Sequence, residues 1–378
     1  MEDLTSGDLF CLFSGGRYRA YNDNFKEENV ESEIGFGVVG LGMGAHHAKA
    51  VSYAEGARLV AVCDVDEGRL RKVASEYGVK AYRNYEDLLA DPEVQVVNIC
   101  TPSGMHADMG IKAVRAGKHI LVEKPPDVTV EKVDKLIDAV RRAGVKAGVT
   151  FQSRTFPLNR RIKAAVEEGR LGRLIGVNAW LPWWRARSYY EGPHGSWKGT
   201  WTLDGGGSLM NQGVHTVDLL QWIVGPVRSV MGRYGAFAHD IEAEDTTVAI
   251  LSFSCGAVGT LMTTTCAYPG LPQMVLLYGE NGTIMKEEDT LKVWRIRGGR
   301  EEEGEMLRLY GPRRKEGATT ASDPMAVGSA GHRWLVEDMV RAVREDREPY
   351  ITLESARHAV EIVTAIYQSS RTGREVFL

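Results

Sequence analysis

A short apolar run, Ile34 to Val39, leads into Gly40-Leu41-Gly42-Met43-Gly44-Ala45, and helix-compatible sequence follows from His46. A strand, a tight turn and a helix in that order leave few architectures open. Glycine at 40 permits the turn, and glycine at 42 lets the backbone approach a pyrophosphate. The helix start adds free amides and the positive end of a dipole. All six turn residues are therefore candidate cofactor contacts. The third position of the dinucleotide fingerprint falls on Ala45 or, with a slightly compressed turn, on Gly44. Asp64, 20 residues beyond Gly44, ends the run Leu59-Val60-Ala61-Val62-Cys63. An acid at that strand tip can accept hydrogen bonds from both ribose hydroxyls and repels a 2′-phosphate, which favours NAD over NADP.

From 34 to about 150, strand-like and amphipathic segments alternate, with strands expected near 57–63, 94–100, 119–123 and 146–151. That pattern predicts a doubly wound parallel sheet. Beyond about 155 the style changes. Segments 174–184, 227–237, 244–255, 257–267 and 273–297 alternate or run apolar at strand length. Asn281-Gly282 reads as a hairpin because both residues tolerate positive φ. A mostly antiparallel sheet with helices is expected there. The 378 residues exceed the roughly 250–300 that one core sustains. The fold class is therefore α/β: an extension at 1–33 of no assigned role, a Rossmann domain at 34–152, and an α+β domain with a large open sheet at 153–378.

Composition narrows the partners. Net charge is −4 with both signs interspersed, so no basic stripe recommends nucleic acid, and Arg313-Arg314-Lys315 reads as a solvated loop. No apolar stretch reaches about 18 residues, and the acidic N-terminus lacks a signal core, so a cytoplasmic protein without a membrane partner is expected. The five cysteines are odd in number and lack CxxC spacing, which suggests reduced core residues.

Two clusters carry chemistry. Leu121-Val122-Glu123-Lys124-Pro125-Pro126 places Lys124 at the carboxyl end of a parallel strand, where open α/β sheets bind ligands. An amine there can polarise a carbonyl or take a hydroxyl proton. Thr101-Pro102-Ser103-Gly104 leaves the neighbouring strand at the same edge, so the Thr101 hydroxyl and nearby amides are candidate cofactor contacts. The second cluster runs from Trp197 through Gly205-Gly206-Gly207 to Asp218. If 208–223 is helical, Asn211, His215 and Asp218 share a face within about 40°. A polar stripe on an apolar helix needs partners, which a substrate pocket supplies, and three glycines would let the backbone approach a ligand. Without HExxH or a cysteine pair, no metal site is expected. Each feature has an ordinary reading too: a solvent-facing ion pair, a turn aspartate, a core histidine.

Taken together, GLGMG with His46-His47-Ala48, Thr101-Pro102 with His106, Glu123-Lys124-Pro125, and GGGSLMNQGVHTVDLLQW resemble the Gfo/Idh/MocA oxidoreductases over residues 34–378. The resemblance implies a Rossmann domain followed by an α/β domain whose open sheet builds dimers or tetramers. It implies NAD(P)-dependent oxidation or reduction of a sugar, polyol or sugar nucleotide, with Lys124 on the reacting hydroxyl and His215 as proton acceptor. Thr101, Pro102, His106, Glu123 and Lys124 would line the cofactor. Many relatives carry aspartate where this chain has Asn211. An amide can orient an imidazole or bind a hydroxyl but cannot stabilise imidazolium by charge, so Lys124 is expected to carry more of the proton transfer.

Further substrate contacts are expected from Arg154, Trp184, Lys198, Trp201 and Asp204, since sugar rings stack on tryptophan and charged groups bind hydroxyls or phosphate. Two other functions fit the same motifs: an NAD-dependent glycosidase working by transient oxidation, and a regulator that binds NAD and a protein partner without catalysis.

Overall fold

A computed structural model describes residues 32–192, 195–312, 320–322 and 330–378. Residues 1–31 of the expected extension and the Arg313-Arg314-Lys315 cluster lie outside the described residues. Six strands, β1 (Ile34–Val39), β2 (Ala57–Cys63), β3 (Lys80–Tyr82), β4 (Val96–Ile99), β5 (His119–Glu123) and β6 (Ala147–Thr150), form one sheet in the order β3-β2-β1-β4-β5-β6. Every pairing is parallel. Helices α1 (Gly44–Tyr53), α2 (Glu67–Tyr77), α3 (Tyr85–Ala90), α4 (His106–Arg115) and α5 (Val130–Ala143) make the crossovers. All residues of β1 and β4 are buried, as expected of strands covered on both faces. Local signals stop and start the helices: Thr129 caps α5 through Lys132 N, and Gly144 ends it at φ 67°. The strand order reverses between β1 and β4, which opens a crevice at their carboxyl ends.

The rest of the chain adds α6 (Pro157–Glu167), β7 (Leu174–Pro182), α7 (Val214–Val224), β8 (Val227–Gly235), β9 (Thr246–Phe253) and β10 (Val258–Thr264). There follow β11 (Met274–Gly279), β12 (Gly282–Glu287), β13 (Thr290–Ile296), α8 (Arg300–Tyr310), α9 (Ala330–Arg344), α10 (Leu353–Thr372) and β14 (Val376–Phe377). Its eight strands lie in the order β13-β12-β11-β7-β10-β9-β8-β14, antiparallel except for β7 with β10. Helix α10 packs on β8 and α7. The opposite face is open: register sets Trp180, Met262 and Val248 side by side, all exposed. Helix α9 returns to pack on α1, and Val149 N of β6 bonds to Ile351 O.

Three expectations change. The β11–β12 hairpin forms, but neither Asn281 nor Gly282 takes positive φ. Glu280 and Asn281 turn instead by donating their amides to Arg173 O and Leu171 O. Cys255 is exposed in the turn after β9, whereas Cys63 and Cys100 are core residues. The single α-helix expected over 208–223 is two helices: Ser208–Gly213 winds as a π-helix, and α7 begins at Val214.

Candidate functional site

At the crevice, Gly40 has φ 84°, and a Cβ there would lie 2.7 Å from the Cys100 carbonyl, so only glycine fits. Gly42 faces space: a Cβ would meet only Arg69 Nη1, at 3.6 Å. Helix α1 starts with no side-chain cap at Met43; Gly44 N donates to Gly40 O at 3.1 Å and His46 N to Met43 O at 2.9 Å, both within the turn. Asp64 is buried at the end of β2, where its Oδ2 accepts from Leu41 N at 2.6 Å and its Oδ1 from Asp66 N at 2.7 Å. The acid that was read as a ribose acceptor thus also braces the turn. Thr101 Oγ1 and Arg69 Nε are buried without partners in this region. Open space over Gly42, an uncapped helix start and orphaned polar groups suit a dinucleotide.

Two expected cofactor contacts face elsewhere. His106 sits between two carbonyls, Nδ1 2.7 Å from Pro125 O and Nε2 2.8 Å from Thr101 O, and whichever nitrogen carries the proton donates to one of the loops after β4 and β5. Glu123 points inward. Its Oε1 meets His47 Nε2 at 2.8 Å and His332 Nε2 at 3.7 Å, and its Oε2 accepts from Lys124 N at 3.0 Å. Burial pushes this carboxyl up, but the bonds from His332 and His47 prevail and hold it well below the usual carboxylate range. Asn98 Nδ2 donates to His47 Nδ1 at 3.3 Å, which leaves the Nε2 proton directed at Glu123. His47 and Glu123 are therefore hydrogen-bonded in the interior with His332 close by, and the ordinary reading of Glu123 in a solvent-facing ion pair does not hold. His332 carries no sequence signal, because it arrives from α9, 209 residues beyond Glu123.

Across the crevice, half-buried Lys124 donates from Nζ to Asn211 O at 2.8 Å. Burial lowers the affinity of its amine for a proton, while Glu123 and Asp204 oppose that effect. The His215 ring stands edge-on to Phe151 at 5.8 Å, with Nδ1 buried and unpartnered. Burial, and then the Lys124 charge, bring its pKa down to about 3, so the ring is neutral at ordinary pH. Asn211 Nδ2 donates to Asp204 Oδ1 at 2.7 Å, and Gly199 N donates to Asp204 Oδ2 at 2.8 Å. Burial raises Asp204 to about 7. Lys198 Nζ lies 3.6 Å above the Tyr189 ring and is brought down to about 8 by burial. Gln212 Nε2 donates to Tyr189 Oη at 3.1 Å. Lys124, Lys198, Asp204, Asn211 and His215 thus lie around one another. Tyr189 and Gln212 join them without having been anticipated, since Tyr189 lies in a loop with no periodic pattern.

The π-helix that presents Asn211 is built on Glu244, whose carboxylate accepts from Gly207 N, Ser208 Oγ, Leu209 N and Tyr367 Oη at 2.6–2.9 Å. A Cβ on Gly207 would sit 1.7 Å from Glu244 O, and one on Gly206 would sit 2.1 Å from Tyr367 Oη. The triple glycine serves this internal packing; it was expected to admit a ligand.

Asp218 leaves the stripe. It forms a buried ion pair with Arg154, Nε to Oδ2 at 2.8 Å, and Arg154 also bonds Ser355, so this guanidinium is committed inward and is not presented to a substrate. Trp201 packs edge-on to Tyr234 and Tyr367, with Arg371 over its ring, and Trp184 packs on Tyr268. Trp201 thus packs against the core, whereas Trp184 is half-buried beside an exposed tyrosine. A second compact group, His239, Asp245 and Cys266, lies off the crevice near β10, where Asp245 is filled by the amides of Phe237, Ala238 and His239.

Residues 34–151 match the model of an oxidoreductase family with an NAD-binding Rossmann fold, Gfo/Idh/MocA, and residues 159–285 match a C-terminal domain of the same family. An uncharacterized oxidoreductase of Synechocystis is 30% identical over 273 residues, covering 68% of this chain and 72% of its own. A myo-inositol 2-dehydrogenase of Thermotoga maritima is 28% identical over 260 residues, covering 66% and 74%. The crystal structure of the WlbA dehydrogenase of Bordetella pertussis, in complex with NADH and UDP-GlcNAcA, superposes with a TM-score of 0.82 at 31% identity, over 92% of this chain and 98% of that one. With its crevice, its glycine turn and these likenesses over both sheets, the chain belongs to the Gfo/Idh/MocA family of NAD-binding oxidoreductases.

Proposed function

We propose that the protein is an NAD-dependent dehydrogenase acting on a secondary hydroxyl of a sugar, polyol or sugar nucleotide. The observation that carries this reading is the Lys124 amine beside neutral His215 at the ligand edge of the parallel sheet. Residues Gly40 to Ala45, Asp64 and Thr101 would hold the dinucleotide, with Asp64 disfavouring a 2′-phosphate. Bound NAD supplies the two-electron acceptor. Lys124, whose burial enlarges its neutral fraction, takes the hydroxyl proton, and the Asn211 carbonyl holds the resulting ammonium. His215 orients the hydroxyl as a neutral partner.

Lys198, as a second cation facing Asp204 near Lys124, supports a substrate with an acidic group. A nucleotide-linked sugar acid is accordingly the first candidate, in keeping with the UDP-GlcNAcA bound by the WlbA dehydrogenase, and inositols come next. The exposed apolar row on the open sheet face supports self-association as a dimer or tetramer. No described helix is long and apolar enough to cross a membrane, which is compatible with a cytoplasmic enzyme. The test is to mix the protein and NAD with UDP-GlcNAcA, inositols, hexoses and glycosides, following NADH absorbance and glycoside cleavage together. NADH formation with one class supports the reading. Cleavage without NADH, or NAD binding with silence across the panel, counts against it.

A further inference from the structure

Asn211 stands between two charges. Its main-chain oxygen accepts from Lys124 Nζ at 2.8 Å, and its side-chain amide donates to Asp204 Oδ1 at 2.7 Å. The other Asp204 oxygen accepts from Gly199 N at 2.8 Å, so the carboxylate cannot turn without breaking both bonds. Asp204 is 1% exposed. The carboxylate supplies both acceptors that these donors need, whereas an asparagine would turn its own amide against one of them. It also adds negative charge on the far side of Asn211 from the Lys124 amine. The titratable groups facing it are Lys124, Lys198, Glu244, Tyr189, Tyr190 and Tyr367.

We propose that Asp204 is a positioning residue for Lys124: through Asn211 it fixes where the amine sits, and its charge adds to that of Glu123, against Arg185, in favouring the protonated amine. Asp204 is among the groups that favour the charged form of Lys124 against burial, which is the direction this role requires. Under the dehydrogenase reading, on which this consequence rests, the substrate O–H bond breaks, an N–H bond forms on neutral Lys124, and the new ammonium faces an ionised Asp204.

The experiment needs neither substrate nor cofactor, so it stands if the dehydrogenase reading fails. Apo full-length protein is labelled with acetic anhydride from neutral to alkaline pH, and acetylation of Lys124 is quantified by mass spectrometry in variants whose folding is checked by thermal unfolding. An opposite charge nearby shifts a pKa by about one unit, so Asp204→Asn should make Lys124 about tenfold more reactive at pH 8, where Asp204, raised to about 7, is ionised. Adding Asn211→Asp to that variant moves the carboxylate across the 2.7 Å bond and should restore most of the protection. A folded Asp204→Asn protein with the wild-type labelling curve overturns the proposal. Should that variant not fold, Asn211→Ala takes its place: it keeps the main-chain oxygen and removes the side-chain bond to Asp204, and wild-type labelling in it overturns the proposal.

Discussion

The two edges of the crevice are made differently. On the cofactor edge the backbone does the work: a turn held open by Gly40 and Gly42, the uncapped start of α1, and Asp64 bonding back onto Leu41 N. The proposed substrate edge is made of side chains that converge from separate segments, with Lys124 after β5, Tyr189 after β7, Lys198 and Asp204 from one loop, and Asn211 from a π-helix. A backbone site is written in consecutive residues. A side-chain site is written in the tertiary fold, and only fragments of it show as spacing.

The largest effect should come from separating the two edges. Lys124→Met removes the amine and leaves the turn, so turnover should fall about 10³-fold, the usual scale for a positioned proton-transfer group. NAD affinity, measured by fluorescence titration, should stay within about twofold of wild type. Comparable losses in both would show that the edges are one unit.

The difference explains what was legible beforehand. Strands β1, β2, β4, β5 and β6 lie where apolar runs between turn residues place them, and the antiparallel sheet follows from period-two alternation. Asn211 and His215 were visible at i and i+4, but the assumed continuous α-helix carried Asp218 along with them. The π-wound segment, set by Glu244 from 36 residues beyond Ser208, has no local signature. Arg154 and Trp201 looked like ligand contacts because charge and aromaticity are read alike whether they face a pocket or a core. Only the partners Asp218 and Tyr367 decide, and both are distant in sequence.

Arg154 sharpens the comparison by belonging to neither edge. Its side chain and that of Asp218 are 3% and 0% exposed, so Arg154→Ala strands a buried carboxylate and should cost about 3–5 kcal/mol in chemical unfolding. A variant of normal stability with a raised substrate KM would return Arg154 to the substrate edge.

A smaller change is expected at Asp64, where one residue serves both the turn and the cofactor. Asp64→Asn keeps one acceptor for Leu41 N and removes the charge that repels a 2′-phosphate. NAD should bind about tenfold more weakly, a loss on the scale of one hydrogen bond to a charged group, and the preference over NADP should narrow. An unchanged ratio of the two dissociation constants would leave Asp64 with the turn alone.

The smallest effect separates two buried acids by pH. Burial raises Asp204 to about 7, so between the ordinary carboxylate range and that value the folded protein holds a proton that the unfolded chain has released. Stability contributed by this group therefore falls as pH rises through that window, and the loss is complete above about 7. Asp204→Asn has no such penalty, so its Tm relative to wild type should climb from pH 5 to pH 8 and then level off. Glu123 runs the other way. The bonds from His332 and His47 hold its carboxyl well below its ordinary value, so its contribution is present at neutral pH and is lost only as pH falls through the depressed value. Glu123→Gln should therefore be least stable relative to wild type at neutral pH and should recover toward it in acid. Thermal unfolding of the two variants across pH should give difference curves of opposite slope. Parallel curves would mean that Asp204 is not held as a strained acid, and the contrast between it and the charge-satisfied Glu123 would fall with it.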